Sequence, residues 1–514
     1  MPSLSNQSDR HTVIDGRSGH YICFPDVVRM TDGRLLVAYN EFERHVGSPR
    51  RKLLLKTSRD EGRTWSRLRR MPYPQSHCPR LTRLSSGELL ISDDAGPYVH
   101  RSRNNGRNWN SKPIPGLSHG LLDRILQLGP DVLLTAGHMH RGVFPHPAIR
   151  QPPSEQLVFR SEDRGRTWKR FSVLAALRNL VLCEASMCLL PDGRLAALMR
   201  ENSFVYEPMY LCISEDQGGT WSSPMPTPLV GHRPTMGVVD GDRLLVTYRD
   251  VSPNMGTCAW LGSLDELVSD FKVHGRRTNP ANHRLTQDAL RVTHDATVDE
   301  MVRFALRPLT DPRTASATLE AEVRVHAADE NGCGMRLGCW WSLFPDRIAP
   351  NVEGSEHVQI EPGRSHLIRL VYADGRVDLH VDGERKAAVA VDPDHADTRP
   401  ILLGAPYPFE DNMVDVEWRR ASLRIDEPAF VRRYRWNWSP TDGMPDAWKG
   451  EHVLELMNDR FAAAPDFGYS GWTELEDGSV YCVYHHGGGH EKGYVPMETS
   501  RVMGTRFSLE DFKG

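Results

Sequence analysis

Carboxylates, imidazoles and guanidinium groups crowd into one kind of place in this sequence: the few residues before and after six short hairpins. The incoming residues are Cys23, Asp26, His77, Arg80, His119, Asp123, Arg124, Glu184, His232, Arg233, Asp466 and Tyr469. The outgoing residues are Glu41, Asp93, Asp94, His138, His140, Arg200, Arg249, His485 and His486. Imidazoles move protons near neutral pH, carboxylates accept or donate them, and guanidinium groups grip anions. Brought to one place, such groups make a polar pocket for a sugar or an acid. No HExxH, GxGxxG or P-loop accompanies them, so no cofactor is expected. The run "HHGGGH" from His485 has the residue types of a metal cluster, but its glycines read as a loop, and no metal is expected.

The elements that must gather these residues are repeats. Six segments share an extended run, a turn and a second extended run. They are "CFPDVVRMTDGRLLVAYNE", "HCPRLTRLSSGELLISDD", "HGLLDRILQLGPDVLLTAGH", "CEASMCLLPDGRLAALMRE", "HRPTMGVVDGDRLLVTYRD" and "GYSGWTELEDGSVYCVYHH". Their Asp-Gly and Ser-Gly pairs are hairpin signals. Four of them lead into a box of the type Ser-x-Asp-x-Gly-x-Thr-Trp: "SRDEGRTWSR", "SRNNGRNWNS", "SEDRGRTWKR" and "SEDQGGTWSS". In each box an aspartate (an asparagine in the second) can accept from the turn's own N–H groups. The glycine can take positive φ, and the tryptophan can fill the space between sheets. The boxes are structural corners away from the chemistry. Blades five and six lack a box and instead share "MGTCAWLGSLDEL" and "MGTRFSLEDF". The fold class is therefore all-β: a six-bladed β-propeller whose ends close on each other, with the pocket at one mouth of its central channel.

The register breaks after Asp265. From about 280 to 427 the strands alternate differently, as in "ATLEAEVRVHA" and "SHLIRLVYADGRVDLHVDGERKAAVAV". This segment reads as a separate β-sandwich inserted into the propeller, similar in pattern to the concanavalin/laminin-G jelly roll. The expected organisation is blades one to five in 1–265, the sandwich in 280–427, and the last blade with closure in 428–514. The insert could bind a glycan, cover the pocket or join two copies in a homo-oligomer. Trp340 and Trp341 in "GCWWSLF" suit core packing more than sugar stacking.

Boxes of this type on six blades resemble the sialidase superfamily, over roughly 15–264 and 430–514. The resemblance implies a tyrosine nucleophile on the last blade, where "GYSGWTELEDG" places Tyr469. It implies a glutamate before a "PDGRL" hairpin, where "CEASMCLLPDGRL" places Glu184, and an arginine on the outgoing strand, where "ALMRE" places Arg200. Other family positions differ. The opening arginine is replaced by Cys23, no arginine stands near "NMGTCAW", and the loop expected to carry the acid/base aspartate reads "NEFERHVGSPRRK", with Glu41, Glu43 and His45. Arg80, Arg233 and Arg249 could rebuild an anion site in another geometry.

These features imply a carbohydrate-active exo-glycosidase for a terminal acidic or deoxy sugar other than ordinary sialic acid. Tyr469 is the nucleophile, Glu184 its base, and Glu41 or Asp26 the acid/base. Arg200, Arg80, Arg233, Arg249, His77, His138, His232 and Asp123 are the expected substrate contacts. An alternative is a glycan lyase, in which Tyr469 or one of His77, His138 and His232 removes a proton beside a uronate carboxylate. A non-catalytic glycan-binding propeller is the third reading. Glu201 and Glu207 read as solvated charges.

The remaining composition narrows the partners. The chain has 514 residues with 63 basic and 67 acidic side chains, a net charge of -4, which gives no footprint for nucleic acid. No apolar run of 18 residues exists, so no membrane partner is expected. The first residues lack the pattern of a secretory signal, and the nine cysteines form no CxxC pair. A cytoplasmic protein with reduced thiols is the expectation.

Overall fold

The computed structural model describes all residues except 18, 46, 74, 94–97, 118–122, 141–153, 178–179, 203–204, 297–300, 331, 407–411, 460–465, 488–494, 496–498 and 514. Six four-stranded antiparallel sheets form the propeller. Blade one is Tyr21–Arg29, Leu35–Phe42, Lys52–Ser58 and Arg69–Arg70. Blades two and three begin with Arg80–Arg83 and Leu126–Gln127, and blade four with Leu182–Leu189. Blade five begins with Gly231–Val239 and blade six with Phe467–Glu474. Each blade is packed on both faces by its neighbours. Its middle strands are therefore buried along their whole length, as in "LLVAYNEF" of Leu35–Phe42, and do not alternate. Blade six takes its outer strand from the other end of the chain: His11–Asp15 pairs with Arg501–Phe507, with His11 opposite Thr505. This clasp removes the free edge a ring of sheets would otherwise leave.

The boxes are built as their residue types require. In the first, Ser58 Oγ accepts from Gly62 N–H at 2.8 Å and donates to Asp60 at 2.7 Å. Asp60 accepts from Thr64 N–H at 2.9 Å and Thr64 Oγ1 at 2.6 Å, and Trp65 Nε1 donates to Gly62 O at 3.1 Å. The residue before the glycine is left-handed too: Glu61, Asn105, Arg164 and Gln217 have φ between 51° and 61°. The serine hydroxyl and this second left-handed residue were not anticipated from the repeat.

Two larger sheets, of seven and eight strands, pack face to face around one apolar core. Leu319, Ala321, Leu370 and Leu423 of one sheet meet Phe304, Met335, Trp341 and Leu403 of the other. Trp341 is fully buried in this core, and Trp340 is buried beside Ala305 and Leu402. Two strands of these sheets lie outside 280–427: His274–Arg277 and Arg432–Trp438. The chain then returns to the propeller through Val453–Asn458, which is the outer strand of blade five rather than part of blade six. The expectation for 428–514 missed this because a single edge strand carries no hairpin signal.

Buried charges join these sheets to blade four. Glu207 accepts from Tyr210 Oη at 2.6 Å, Thr310 Oγ1 at 2.9 Å and Arg399 at 3.2 Å. Glu427 accepts from Arg307 at 2.8 Å and Arg432 at 2.7 Å. Glu201 accepts from Val181 N–H. Glu201 and Glu207 are 2% and 4% exposed, so the reading of both as solvated charges is corrected. Among the described residues no helix is long and apolar enough to cross a membrane.

Candidate active site

The mouth residues are presented by one repeated distortion. In blades one, four, five and six the inner strand loses register with its partner between Cys23 and Asp26, Cys183 and Ser186, His232 and Thr235, and Phe467 and Ser470. At each slip one residue is left-handed: Phe24, Glu184, Arg233 and Gly468, with φ of 52°, 50°, 48° and 80°. Cys78, just before the inner strand of blade two, has φ 48°. Such bulges re-aim side chains that a regular pleat would send to alternate faces.

The bulges of blades four and six bring Glu184 and Tyr469 to Arg200. Arg200 Nη1 lies 3.0 Å from both Glu184 oxygens and donates to Tyr469 Oη at 3.0 Å. Its Nη2 donates to Asn202. All three residues are buried, at 6%, 8% and 5% exposure for Glu184, Tyr469 and Arg200. Burial alone would raise the Glu184 carboxyl, but Arg200, Arg233 and His138 hold it at about 2. Burial raises the Tyr469 phenol, and Arg200 and Arg249 oppose that rise. The phenol is thus neutral at rest beside a guanidinium placed to favour its phenolate.

Positive charge surrounds this trio. The Arg249 guanidinium lies over Phe467 and Tyr469, at 5.0 and 5.8 Å from the ring centres. Arg233 is buried close enough to depress Glu184. His138 Nδ1 accepts from the Glu184 N–H at 3.2 Å. His232 is 1% exposed, and burial with Arg200 and Arg249 keeps it neutral. His77 sits farther out, its ring stacked on Phe42 at 5.5 Å and edge-on to Phe24 at 5.2 Å.

An aromatic and imidazole cluster closes the other side. Phe24 lies 5.2 Å from Tyr469 between ring centres, His485 5.4 Å and His45 6.4 Å. Asp466 ties the cluster together. It accepts from Tyr21 Oη at 2.6 Å and contacts His45 Nδ1 and His485 Nε2, each at 3.1 Å. Burial would raise the Asp466 carboxyl, but His45 and His485 hold it well below the usual range.

Other expected site residues lie elsewhere. Asp26, Arg80, Asp123 and Arg124 form a charged plug across the channel. Asp26 accepts from Arg124 Nε at 2.9 Å, Leu81 N–H at 2.8 Å and Val27 N–H at 2.9 Å. Arg80 donates to Ser470 O at 2.9 Å and Thr235 Oγ1 at 2.8 Å, and lies 3.6 Å from Asp123. Asp26, Arg80 and Asp123 are each at most 3% exposed and paired within the plug, so the acid/base role of Asp26 and the substrate roles of Arg80 and Asp123 give way to a structural one. Glu41 is clamped between Lys52 and Arg17, the latter at 2.5 Å, and is held ionised against the effect of burial, which leaves it no proton to give as an acid. Asp94 and His119 lie outside the described residues. His485 and His486 of the "HHGGGH" run face Asp466 and Asp459, the latter 3.7 Å from His486. Among the described residues no group of three or more His, Cys, Asp or Glu is arranged to hold a metal. Sequence reading missed Tyr21, Phe24 and Asn202, and named His45 without placing it in the pocket. The signal for Phe24 and Asn202 was their adjacency to expected site residues.

A search of curated proteins found none that matches the chain significantly. Among solved structures, a protein of unknown function from Dyadobacter fermentans is similar at 17% identity over 58% of this chain and 93% of its own, with a TM-score of 0.44. Trypanosoma rangeli sialidase, solved as a covalent intermediate with 2,3-difluorosialic acid, is similar at 12% identity over 79% and 81%, with a TM-score of 0.31. Penicillium chrysogenum α-L-arabinanase, with arabinobiose, is similar at 12% identity over 57% and 96%, with a TM-score of 0.36. Residues 92–252, which run from blade two to blade five, match the BNR repeat-like domain family. The chain is a six-bladed β-propeller carrying that domain, and sialidases are among its structural neighbours.

Proposed function

We propose that this chain is a retaining exo-glycosidase for a terminal acidic or deoxy sugar, with Tyr469 as nucleophile and Glu184 as its base. The observation that carries this reading is the shared contact of Arg200 Nη1 with the Tyr469 oxygen and the Glu184 carboxylate. A phenol near pKa 10 is a weak nucleophile unless its proton has somewhere to go as the bond forms. Glu184 is ionised and stands on the same guanidinium, and Arg200 stabilises the phenolate character that develops. A neutral nucleophile also meets an anionic sugar without the repulsion a carboxylate would bring. Arg200, Arg233 and Arg249 supply the positive field for the sugar's acid group.

In the first step the anomeric carbon–oxygen bond breaks as Tyr469 Oη attacks and Glu184 takes the phenol's proton. In the second, water displaces Tyr469 and the proton returns. A lyase is the second reading, because the Tyr469 phenol stands beside Arg200 and Arg249, the setting for proton removal beside a carboxylate. Mass spectrometry decides between them. The protein is incubated with sialosides, other ulosonic-acid glycosides, uronic-acid oligosaccharides and rhamnosides, with Tyr469→Phe alongside. A released sugar carrying one added water, absent with Tyr469→Phe, is the expected result. A product lighter by one water moves the assignment to the lyase. Saturable binding without turnover makes the propeller a binding module.

A further inference from the structure

A retaining hydrolase needs a group that gives a proton to the leaving oxygen and later takes one from water. Among the described residues, the carboxylates around Tyr469 are badly placed for this. Glu41, Asp26, Glu184 and Asp466 are each held ionised by cationic or imidazole partners. Asp459 is the exception, its carboxyl pushed up to about 8 by burial and the charge of Asp466, but it is 2% exposed and faces His486. Among the imidazoles, His232 and His485 are sealed at 1% and 0% exposure, and His138 is committed to the Glu184 N–H.

His45 differs from all of these. It stands in the loop after Leu35–Phe42, its side chain is 18% exposed, and its ring centre is 6.4 Å from that of Tyr469. Its Nδ1 is engaged by Asp466 at 3.1 Å and by Tyr21 Oη at 2.5 Å. Its Nε2 bonds none of the described residues. Phe24 lies edge-on at 5.4 Å and fixes the ring plane. A carboxylate on one ring nitrogen with the other left open is the arrangement that makes an imidazole a directed proton carrier.

We propose that His45, oriented by Asp466, is the acid/base of the reaction assigned above; the inference rests on that reading. As the C–O bond breaks and the Tyr469 Oη–carbon bond forms, the His45 Nε2 proton passes to the leaving oxygen. In the second step His45 Nε2 takes a proton from water as the water oxygen bonds the anomeric carbon and Tyr469 leaves. His45 ends the cycle with as many protons as it began with, still held by Asp466. Among the described residues, the ionisable groups that face it are Asp466, Tyr21, His485 and Tyr469.

The test compares 4-nitrophenyl and methyl glycosides of N-acetylneuraminic acid, a 3-deoxy-ulosonic acid and glucuronic acid with wild type, His45→Gln and Asp466→Asn. A nitrophenolate leaves without a proton, whereas methanol needs one. His45→Gln is expected to lose on the order of 10²–10⁴ in kcat/KM on the methyl glycoside and less than about tenfold on the nitrophenyl one. Azide should restore its turnover on the nitrophenyl glycoside, because it attacks without a general base. Asp466→Asn should lower kcat/KM on the methyl glycoside more than on the nitrophenyl one, because the ring loses the carboxylate that orients it. Equal losses on both glycosides, with no azide rescue, mean a structural role and overturn the proposal. An active wild type whose His45→Gln variant cleaves the methyl glycoside equally well overturns this inference alone. A wild type that turns over none of the probes overturns the hydrolase reading and this inference together.

Discussion

Replacing Arg200 with methionine keeps an unbranched side chain and removes its charge. Glu184 then remains buried without its main partner. In the wild type its carboxyl sits at about 2 instead of 4.5. That is a preference for the ionised form worth about 3 kcal/mol. Burial opposes this preference, and Arg200 is the largest influence on the other side. Removing one partner of a buried pair costs about 3–5 kcal/mol. At about 1.4 kcal/mol per tenfold, local opening of Leu182–Leu189 and Leu195–Glu201 should rise by roughly two to four powers of ten. Hydrogen exchange read by mass spectrometry on those strands measures this without requiring the whole chain to unfold as one unit. The double variant Arg200→Met, Glu184→Gln removes both charges and should recover about 2 kcal/mol of the summed single losses. The sign with pH is also fixed. In the wild type the folded value lies below the unfolded one, so this stabilisation is present above pH 4.5 and is lost as pH falls towards 2. In Arg200→Met burial dominates and moves the carboxyl upward, so the penalty is greatest at neutral pH and shrinks as the group protonates. The gap between variant and wild type should therefore narrow from pH 7 to pH 5. Exchange within tenfold of wild type at pH 7, with additive double-variant losses, would refute the pairing argument.

Two further outcomes follow from buried charge. His100 in blade two is held at about 4 by burial, against 6.5 in the unfolded chain. The unfolded state therefore takes up a proton first as pH falls, and stability declines between pH 6.5 and 4, by about 2 kcal/mol at pH 5. The melting temperature of His100→Gln should fall less steeply than that of wild type over this range, and parallel curves would contradict the assignment. Glu207→Gln removes the carboxylate 3.2 Å from Arg399, which is fully buried, at a cost of about 3 kcal/mol. Exchange should rise in Val302–Leu306 and Ile401–Gly404 and stay unchanged in blade one. A uniform rise would show that the contact does not join the two sheets locally to blade four.

The fold was legible because it repeats. Four boxes and six hairpins in one order fixed the number of blades, and each box needs only local bonds such as Gly62 N–H to Ser58 Oγ. That Tyr469, Glu184 and Arg200 come together was legible because each sits at a fixed place in a recognisable segment. The errors have a common cause in side-chain direction. Asn40 and Glu41 are neighbours on one strand and point to opposite faces. Asn40 donates to Ser76 of the next blade, while Glu41 turns to Arg17 and Lys52. Asp26 was assigned to the pocket because it lies just before the first hairpin. The bulge at Phe24 changes the direction of the residues that follow it and sends Asp26 down the channel to Arg124. His45 could not be placed, because its partner Asp466 is 421 residues away and the loop between Phe42 and Lys52 has no period to read.

The bulges explain why one scaffold can hold such different groups at one level. A non-glycine residue in the left-handed region costs about 1–2 kcal/mol, and the chain bears that cost at Phe24, Cys78, Glu184 and Arg233. These four side chains share no chemistry: one is aromatic, one a thiol, one an anion and one a cation. The distortion therefore belongs to the position in the blade, and not to any preference of the residue that occupies it. What the position supplies is direction, since two consecutive residues leave the pleat together at the mouth of the channel. In blade six a glycine takes the left-handed position without that cost, and the next residue, Tyr469, is the one delivered to Arg200. Chemistry at this mouth is thus set blade by blade through the residue at the bulge and its successor. A change of substrate needs new side chains at those positions and no change in the sheets that carry them.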